Sequence, residues 1–547
     1  MSVQETWNAA IRQAKTAGRT ELRIMPGRYE LSPEAEAHWT LADIDCPDTD
    51  CLTVDMTGVE LVCADNQTTA VLIRNCRNLT LKGGEVGYRV PTMTQGEVTA
   101  VSADGKTVEV TLDEGYPSLT ASRDKTAYVY HRETREMKND CPDMYAIGAE
   151  HVEGRTWRLF YHEDMRANNV CIGDVLGLRC EGAMAIIVDG CEHITLWDMT
   201  ITDGCFAILE CGGEGGNVYE RIRVYPKEKP EGAIYPRVLS TYADAFHSAS
   251  VRKGPTIRGC TFNGMGDDCV NIHGAYAYFA ACGATGQLIY ACGGGNVFDK
   301  KGDRIRFLNN RGEILHETRV REVLGCAEGF SLPSNAFAEA NKRFIPREYY
   351  QLLLEDTFVP PFGARMSNLD KGGNGFKLVD NFFGPNRARG ALIKASGGIV
   401  EGNFFDGQSI HALLISPEYY WNESCFVDGL TIRGNIFQNC GFVTGYRPSI
   451  VIEGEFGREG GISHKNITIE NNIFRHNNRE SLFVAHAHAV QIRENIFGPR
   501  NEIARSTRSC PGHVRVENAH HVILENNIFA PDMPAVSDGG NAEYEVK

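Results

Sequence analysis

Short runs of alternating apolar residues, each closed by Gly or Asn and followed by an apolar residue and Phe, recur along the second half of the chain. The runs are "IRGCTFNG" (257–264), "LVDNFFG" (378–384), "VEGNFFDG" (400–407), "IRGNIFQN" (432–439), "IENNIFRHN" (469–477), "IRENIFG" (492–498) and "LENNIFA" (524–530). From Phe383 through Phe405, Phe437, Phe474 and Phe497 to Phe529, successive Phe positions are 22, 32, 37, 23 and 32 residues apart. A repeat of this length with loop insertions is the signature of a solenoid, in which each unit buries its apolar face only by stacking on the next. Alternation of apolar and polar positions makes the rungs strands rather than helices. The fold class this predicts is all-β, a right-handed parallel β-helix. A leucine-rich repeat would need a Leu pattern that the chain lacks.

The N-terminal stretch "ETWNAAIRQAKTAG" places Trp7, Ile11 and Ala14 on one helical face, as a cap over the open end of a solenoid requires. "ELRIMPGRYEL" then reads as the first coil. Two segments break the repeat. Residues 93–178 contain "GEVTAVSADGKTVEVTLDEGYP", an antiparallel pattern with an Asp-Gly turn. Residues 275–375 contain "GDRIRFLNNRGEILHETRVREV", of the same kind. The expected organisation is a cap and first coils in 1–92, a barrel-like insertion in 93–178, coils in 179–274, a second barrel-like insertion in 275–375, and C-terminal coils in 376–547.

Composition narrows the partners. An apolar fraction of 42 % over 547 residues suits a folded chain, and 57 Gly scattered throughout suit many tight turns. A formal net charge of −16 argues against a nucleic-acid backbone and, more weakly, against a polyanionic substrate. No window approaches 18 consecutive apolar residues, so no membrane-spanning helix is expected. The N-terminus has neither the basic start nor the apolar core of a signal peptide, which predicts a cytoplasmic protein or an exported one whose leader has been removed. The 18 Cys show none of the close-paired spacings of zinc sites. Cys191, Cys205, Cys211, Cys260, Cys269 and Cys440 fall in strand-like runs, as buried free thiols would.

The candidate chemistry lies in "GMGDDCVNIHG" (264–274), which sets Asp267 beside Asp268 and follows them with Asn271 and His273. Asp244 and His247, in "RVLSTYADAFHSASVRKG" (237–254), precede that motif by one coil. Stacked strands are about 4.8 Å apart, so Asp244 should lie beside the Asp pair. Three carboxylates that close cannot ionise independently; one keeps a proton while another stays charged. That combination serves glycoside hydrolysis, in which one acid protonates the leaving oxygen and an ionised partner activates water. Gly264 and Gly266 would let the backbone approach a sugar, and His247, Asn271 and His273 would bind hydroxyls or tune the acids. Alternatives are a solvated Asp turn, a Ca²⁺ site, and a Ca²⁺-dependent lyase using Arg252 or Lys253 as base. Lys394, in "ALIKASG", would be costly pointing inward and so reaches a cleft or snorkels. Trp421 and Glu423 offer an apolar platform and a hydroxyl acceptor. His486 and His488, in "VAHAHAV", would share a strand face, but no third metal ligand accompanies them. "CGGEGGN" (211–217) opens no helix and is no phosphate loop.

At these residues the chain resembles glycoside hydrolase family 110, the exo-acting α-1,3-galactosidases with a β-helix fold. The stretches that carry the resemblance are "RVLSTYADAFHS", "GMGDDCVNIHG", "RGALIKASGGIVEGNFF" and "ISPEYYWNESCFVDGLTIRGNIF", within about residues 180–530. "GDDC" one coil after an Asp also looks like the family 28 polygalacturonases. Their Gly-His-Gly loop and Arg-Ile-Lys triplet are missing at suitable places, whereas "WNES" and "NIHG" favour the galactosidases. The resemblance implies an inverting hydrolase, free of metal and cofactor, that removes terminal α-linked galactose from a carbohydrate such as a blood-group B structure. It implies Asp244, Asp267 and Asp268 as the acidic triad, with Asp267 as general acid and Asp244 and Asp268 holding the water. Ala245 and Cys269 depart from the family pattern and bear on leaving-group preference more than on the reaction. An endo-acting pectic hydrolase and a non-catalytic carbohydrate-binding β-helix are the competing functions. Nothing in the sequence fixes the oligomeric state.

Overall fold

The structure is a computed structural model that describes residues 3–547 except 32–37, 48–50, 120–125, 446, 456–460, 462 and 503–508. The helix Val3–Thr16 buries Trp7, Ile11 and Ala14 against the first coil. Trp7 packs edge-on to Tyr29 and Trp39 at 5.0 and 4.9 Å, which closes the apolar end of the stack.

Beyond the helix the chain winds through three long parallel sheets, the arrangement of a parallel β-helix. One sheet has 13 strands, from Glu21–Arg23 to Tyr544–Val546, and a second has 12, from Gly27–Leu31 to Ile528–Phe529. The third runs from Trp39–Ala42 to Val536–Gly540, and the acidic residues lie in the turns that lead into two of its strands, Phe246–Ala249 and Val270–Cys282. Inward positions of all three sheets form one continuous core along the stack.

The repeated Asn and Phe explain each other in this geometry. Asn381, Asn403, Asn435, Asn472 and Asn495 are buried, and each side-chain oxygen from Asn403 onward accepts N–H bonds from the Asn one coil before. Their amide groups donate in turn to backbone carbonyls at the turn, so polar atoms inside the coil are satisfied. Beside this ladder Phe383, Phe405, Phe437, Phe474, Phe497 and Phe529 stack with centroid spacings of 4.3, 5.0, 4.9, 4.9 and 4.8 Å. These distances match the strand spacing, which is why the pattern repeats in sequence.

Two antiparallel units interrupt the coils. The first is a 7-stranded sheet between Met93 and Arg179 with its own core. Its edge strands, Met144–Tyr145 and Gly148–Glu153, follow one another in the chain. The second unit begins within the strand Val270–Cys282, whose first half belongs to the third parallel sheet. Its second half pairs with Leu288–Cys292 and Arg365–Asn368. Arg304–Leu308, Ile314–Cys326 and Glu348–Leu354 complete a closed ring. The strand that carries Asn271 and His273 is thus shared by coil and barrel.

No disulfide joins any of the 18 cysteines. His486 and His488 do not share a strand face: His486 sits at a turn with φ 52° and is buried, while His488 points outward against His521. The turn forces the chain to reverse its side-chain alternation between them.

Candidate active site

Asp244 and Asp268 come together because their coils pair in register, Phe246 with Val270 and His247 with Asn271. Ala245 N–H donates to the Asp268 carbonyl at 3.0 Å, which locks the two turns. A Cβ on Gly266 would meet the Tyr242 carbonyl oxygen at 2.4 Å, and one on Gly264, at φ +76°, would meet Pro226 at 2.6 Å. The two glycines allow coil to pack on coil. The first insertion then grips the turn from above: Tyr128 O–H and Arg179 Nη2 donate to the Gly266 carbonyl at 2.8 and 2.6 Å.

One oxygen each from Asp244, Asp267 and Asp268 lies within 4.8 Å of the others. They line a cavity of about 610 Å³ with Arg179, Phe206, Tyr242, Arg387, Arg389, Glu418, Glu423, His247, Asn271, Tyr145 and Trp421. A larger cavity, about 980 Å³ around Lys227 and Pro230, is lined by Glu60, Glu85, Glu228 and Glu231, and there Lys227 bridges Glu60 and Glu85 at 3.1 Å.

The three carboxyls differ in what surrounds them. Burial pushes Asp267 up, but the Arg387, Arg179 and Arg389 guanidiniums outweigh it and bring the carboxyl down to about 2. Arg179 Nη2 is 2.9 Å from Asp267 Oδ2, and Arg387 Nη1 is 2.6 Å from Oδ1. Asp268 is driven well above the carboxylate range by burial, with Arg389 opposing and Asp267 and Asp244 adding to the rise. Asp244 is raised as well, by burial first, against the pull of His247. Side-chain exposure follows the same division, at 25 % for Asp267 but 7 % for Asp244 and 3 % for Asp268. Burial thus raises the two inner carboxyls, Asp244 and Asp268, while the guanidiniums hold the outer Asp267 low; Arg389 Nε, 2.9 Å from Asp268 Oδ1, opposes the rise there. Two guanidiniums within bonding distance of Asp267 favour its anion.

Hydrogen-bond directions fix a second proton. His273 Nδ1 donates to the Gly274 carbonyl at 2.7 Å, and burial lowers this imidazole to about 4, so it is neutral near neutrality and its Nε2 accepts. His247 Nε2, 2.8 Å away, must therefore be the donor in that contact. The remaining bond, His247 Nδ1 to Asp244 Oδ2 at 2.7 Å, then holds one proton, on the imidazole or on the carboxyl. His247 is raised accordingly: burial lowers it, and Asp244 more than restores it. Phe206 stacks flat on the same ring at 4.6 Å and fixes its plane.

Lys394 points inward, with no exposed side-chain surface. Its Nζ lies 2.6 Å from Glu423 Oε2 and 3.3 Å from both Glu418 Oε2 and Asn271 Oδ1. Burial pushes Glu423 up, but His273 and Lys394 reverse this and hold it low. Asn271 also donates to Glu423 at 3.2 Å. Trp421 stands in the turn before Glu423 with 57 % of its surface exposed. Asp244, Asp267, Asp268, His247, Asn271, His273, Lys394, Trp421 and Glu423 therefore sit in one neighbourhood around this cavity.

The same atoms bear on metal binding. His247, His273 and Glu423 also bring ligand atoms within 4.8 Å, as does the acid trio. In both groups protein cations already neutralise the acids, Lys394 in one and three guanidiniums in the other, and the two imidazole nitrogens bond each other. Arg252, a candidate base for a lyase, is clasped by Asp299 and Asp303 and raised by them against its burial.

Arg179, Arg387, Arg389, Glu418 and Tyr145 were not picked out from the sequence. Arg389 had a usable signal, because the strand Arg389–Ile393 pairs with Val270–Cys282, Ala391 facing Val270. Removal of the second insertion from the numbering places it one coil beyond Asp268.

No family model matches the chain. Curated relatives named alpha-1,3-galactosidase match most of it. Alpha-1,3-galactosidase A of Shewanella woodyi is 22 % identical over 506 residues, 84 % of this chain and 75 % of its own. Alpha-1,3-galactosidase A of Bacteroides thetaiotaomicron is 24 % identical over 526 residues, 87 % of this chain and 85 % of its own. Among solved structures, the surface adhesin PfbA of Streptococcus pneumoniae covers 98 % of this chain and 86 % of its own, with a TM-score of 0.44 and 10 % identity. The resemblance carried by the acidic motifs therefore extends along most of the chain.

Proposed function

We propose that this protein is an exo-acting glycoside hydrolase that removes terminal α-1,3-linked galactose by a single displacement with inversion. The observation that carries the reading is the convergence of Asp244, Asp267 and Asp268 at the wall of a cavity, one oxygen of each within 4.8 Å of the others, with Arg179 and Arg387 on Asp267 and Arg389 on Asp268. The similarity to proteins named alpha-1,3-galactosidase over most of the chain supports the bond and the sugar.

In this reaction Asp268 gives its proton to the leaving oxygen as the glycosidic bond breaks. Asp267, ionised between Arg179 and Arg387, holds the attacking water and takes its proton as the new bond to the anomeric carbon forms. Asp244 shares its proton with His247 and, as Asp268 becomes charged, limits the repulsion between the two. The nearest oxygens of the trio, within 4.8 Å, are closer than the roughly 6.5–9.5 Å usual for inverting carboxyls, so the water sits beside the trio rather than between two members. Glu423, Lys394 and Asn271 form a polar network suited to galactose hydroxyls. A polyanionic pectic substrate fits less well, because the nearby cations are already matched by acids.

Galactose release from an α-1,3-galactosyl disaccharide, with chelator present, tests the reading. Release by the wild type that persists with chelator supports it, and no release by folded protein overturns it for this linkage. Asp267→Asn and Asp268→Asn then separate the roles on α-galactosyl fluoride, whose leaving group needs little protonation. The Asp268 variant should lose far less on the fluoride than on the disaccharide, and the Asp267 variant should lose on both. The opposite pattern would make Asp267 the acid.

A further inference from the structure

Two aromatic side chains lining the cavity stay exposed, Tyr145 at 62 % and Trp421 at 57 %. Large apolar surfaces left to water at the mouth of a charged cavity call for an occupant. Both rings are braced. Tyr145 stands on the edge strand of the first insertion, its O–H donating to Asp143 Oδ2 at 3.2 Å. Asp143 in turn binds Arg387 at 2.6 Å, the arginine that holds Asp267. Trp421 is braced by the second insertion. The Arg343 guanidinium lies 4.1 Å from its ring centre and 4.4 Å from that of Tyr420. Asn422, the next residue, exchanges backbone and side-chain hydrogen bonds with Tyr276 on the shared strand at 3.2 and 2.9 Å. Neither ring is needed to pack the coils, since both lie outside the apolar cores.

The volume points the same way. About 610 Å³ lies inside the roughly 300–1,000 Å³ range of small-molecule binding cavities. The polar network at Glu423, Lys394 and Asn271 provides for hydroxyls, whereas an aromatic face offers burial to the C–H face of a pyranose.

We propose that Tyr145 and Trp421 form the binding surface for the leaving-group sugar, the residue to which the terminal galactose is attached. The two insertions thereby set acceptor preference, while the coils carry the chemistry. This assignment rests on the galactosidase reading. Because each ring is fixed by its own brace, the surface is preorganised, and its contribution reaches the substrate without an ordering cost.

The test compares two substrates that share the galactosyl group. Trp421→Ala and Tyr145→Ala are assayed on the α-1,3-galactosyl disaccharide and on α-galactosyl fluoride, which has no leaving-group sugar. Each variant should lose about tenfold more kcat/KM on the disaccharide than on the fluoride, mainly through KM. Equal losses on both substrates, or no loss on the disaccharide, would overturn the proposal. Thermal melting confirms that each variant is folded. A second reading is direct: free methyl β-galactoside should change the tryptophan fluorescence of the wild type, and Trp421→Ala should abolish that change. A change that survives the substitution also overturns the proposal. If the wild type hydrolyses neither substrate, the galactosidase reading fails, and the fluorescence titration still decides on the sugar surface.

Discussion

The Asn ladder and the acid trio are built by the same operation, register stacking of successive coils, with opposite energetic results. In the ladder, Asn435 stacks on Asn472 and Asn472 on Asn495, and each amide is both donor and acceptor, so every added coil satisfies the last. In the turns leading into the third sheet, the same coil stacking sets Asp244 beside Asp268, and a carboxylate only accepts. Burial and mutual repulsion therefore raise the inner pair, and the cost is met by Arg179, Arg387, Arg389 and His247. Stacking stabilises when the stacked group pairs with itself, and it creates reactivity when it does not.

Exchange of the two residue types tests that contrast. Asp268→Asn places the ladder's residue in the site, removes the proposed acid and relieves the crowding. Galactose release from the disaccharide should fall by about 10³-fold or more, and Tm should not fall. A variant that retained near wild-type release would break the contrast.

The reverse exchange, Asn472→Asp, places the site's residue in the ladder. The amide that donates to the Ile432 carbonyl and Asn495 Oδ1 becomes an oxygen facing two oxygens. Stability should drop by about 3 kcal/mol, as for a buried polar group left facing acceptors. The loss should deepen as pH rises and the new carboxyl is forced to ionise. Denaturant unfolding at pH 5 and pH 8 reads both effects.

Arg387→Ala sharpens the comparison at smaller amplitude. Asp267 loses a cation 2.6 Å away, so its folded-state pKa rises from about 2. Asp267 works as an anion, so activity is lost as pH falls through that value, and the acid limb of kcat/KM should move to higher pH. The alkaline limb belongs to the inner pair: activity is present while the pair holds its proton and is lost as pH rises through its raised values. We expect about a tenfold decrease at the optimum, measured as a full pH profile of both enzymes. An unmoved acid limb would count against the Arg387–Asp267 contact.

Much of the fold was legible because stacking writes itself into sequence. Phe and Asn at fixed offsets are the stack seen end-on, and the one-coil spacing of Asp244 from Asp267 and Asp268 located the trio. The partners of the trio were hidden by topology. Arg389 follows Asp268 by 121 residues because the second insertion separates two coils that touch. Arg179 and Tyr145 belong to the first insertion, whose antiparallel strands have no periodic relation to the coils. The arginines around Asp267 were not legible, since an aspartate's charge depends on neighbours that local pattern does not reveal. Lys394 was visible as anomalous, but its partners Glu418 and Glu423 lie on a later turn.

The most direct test of the account is the anomeric form of galactose released first from an α-1,3-galactosyl disaccharide, followed by proton NMR before mutarotation. Single displacement at the acid trio predicts β-galactose as the initial product, with chelator leaving the rate unchanged and Asp267→Asn giving no release. Initial release of α-galactose, or no release by folded wild type, would contradict it.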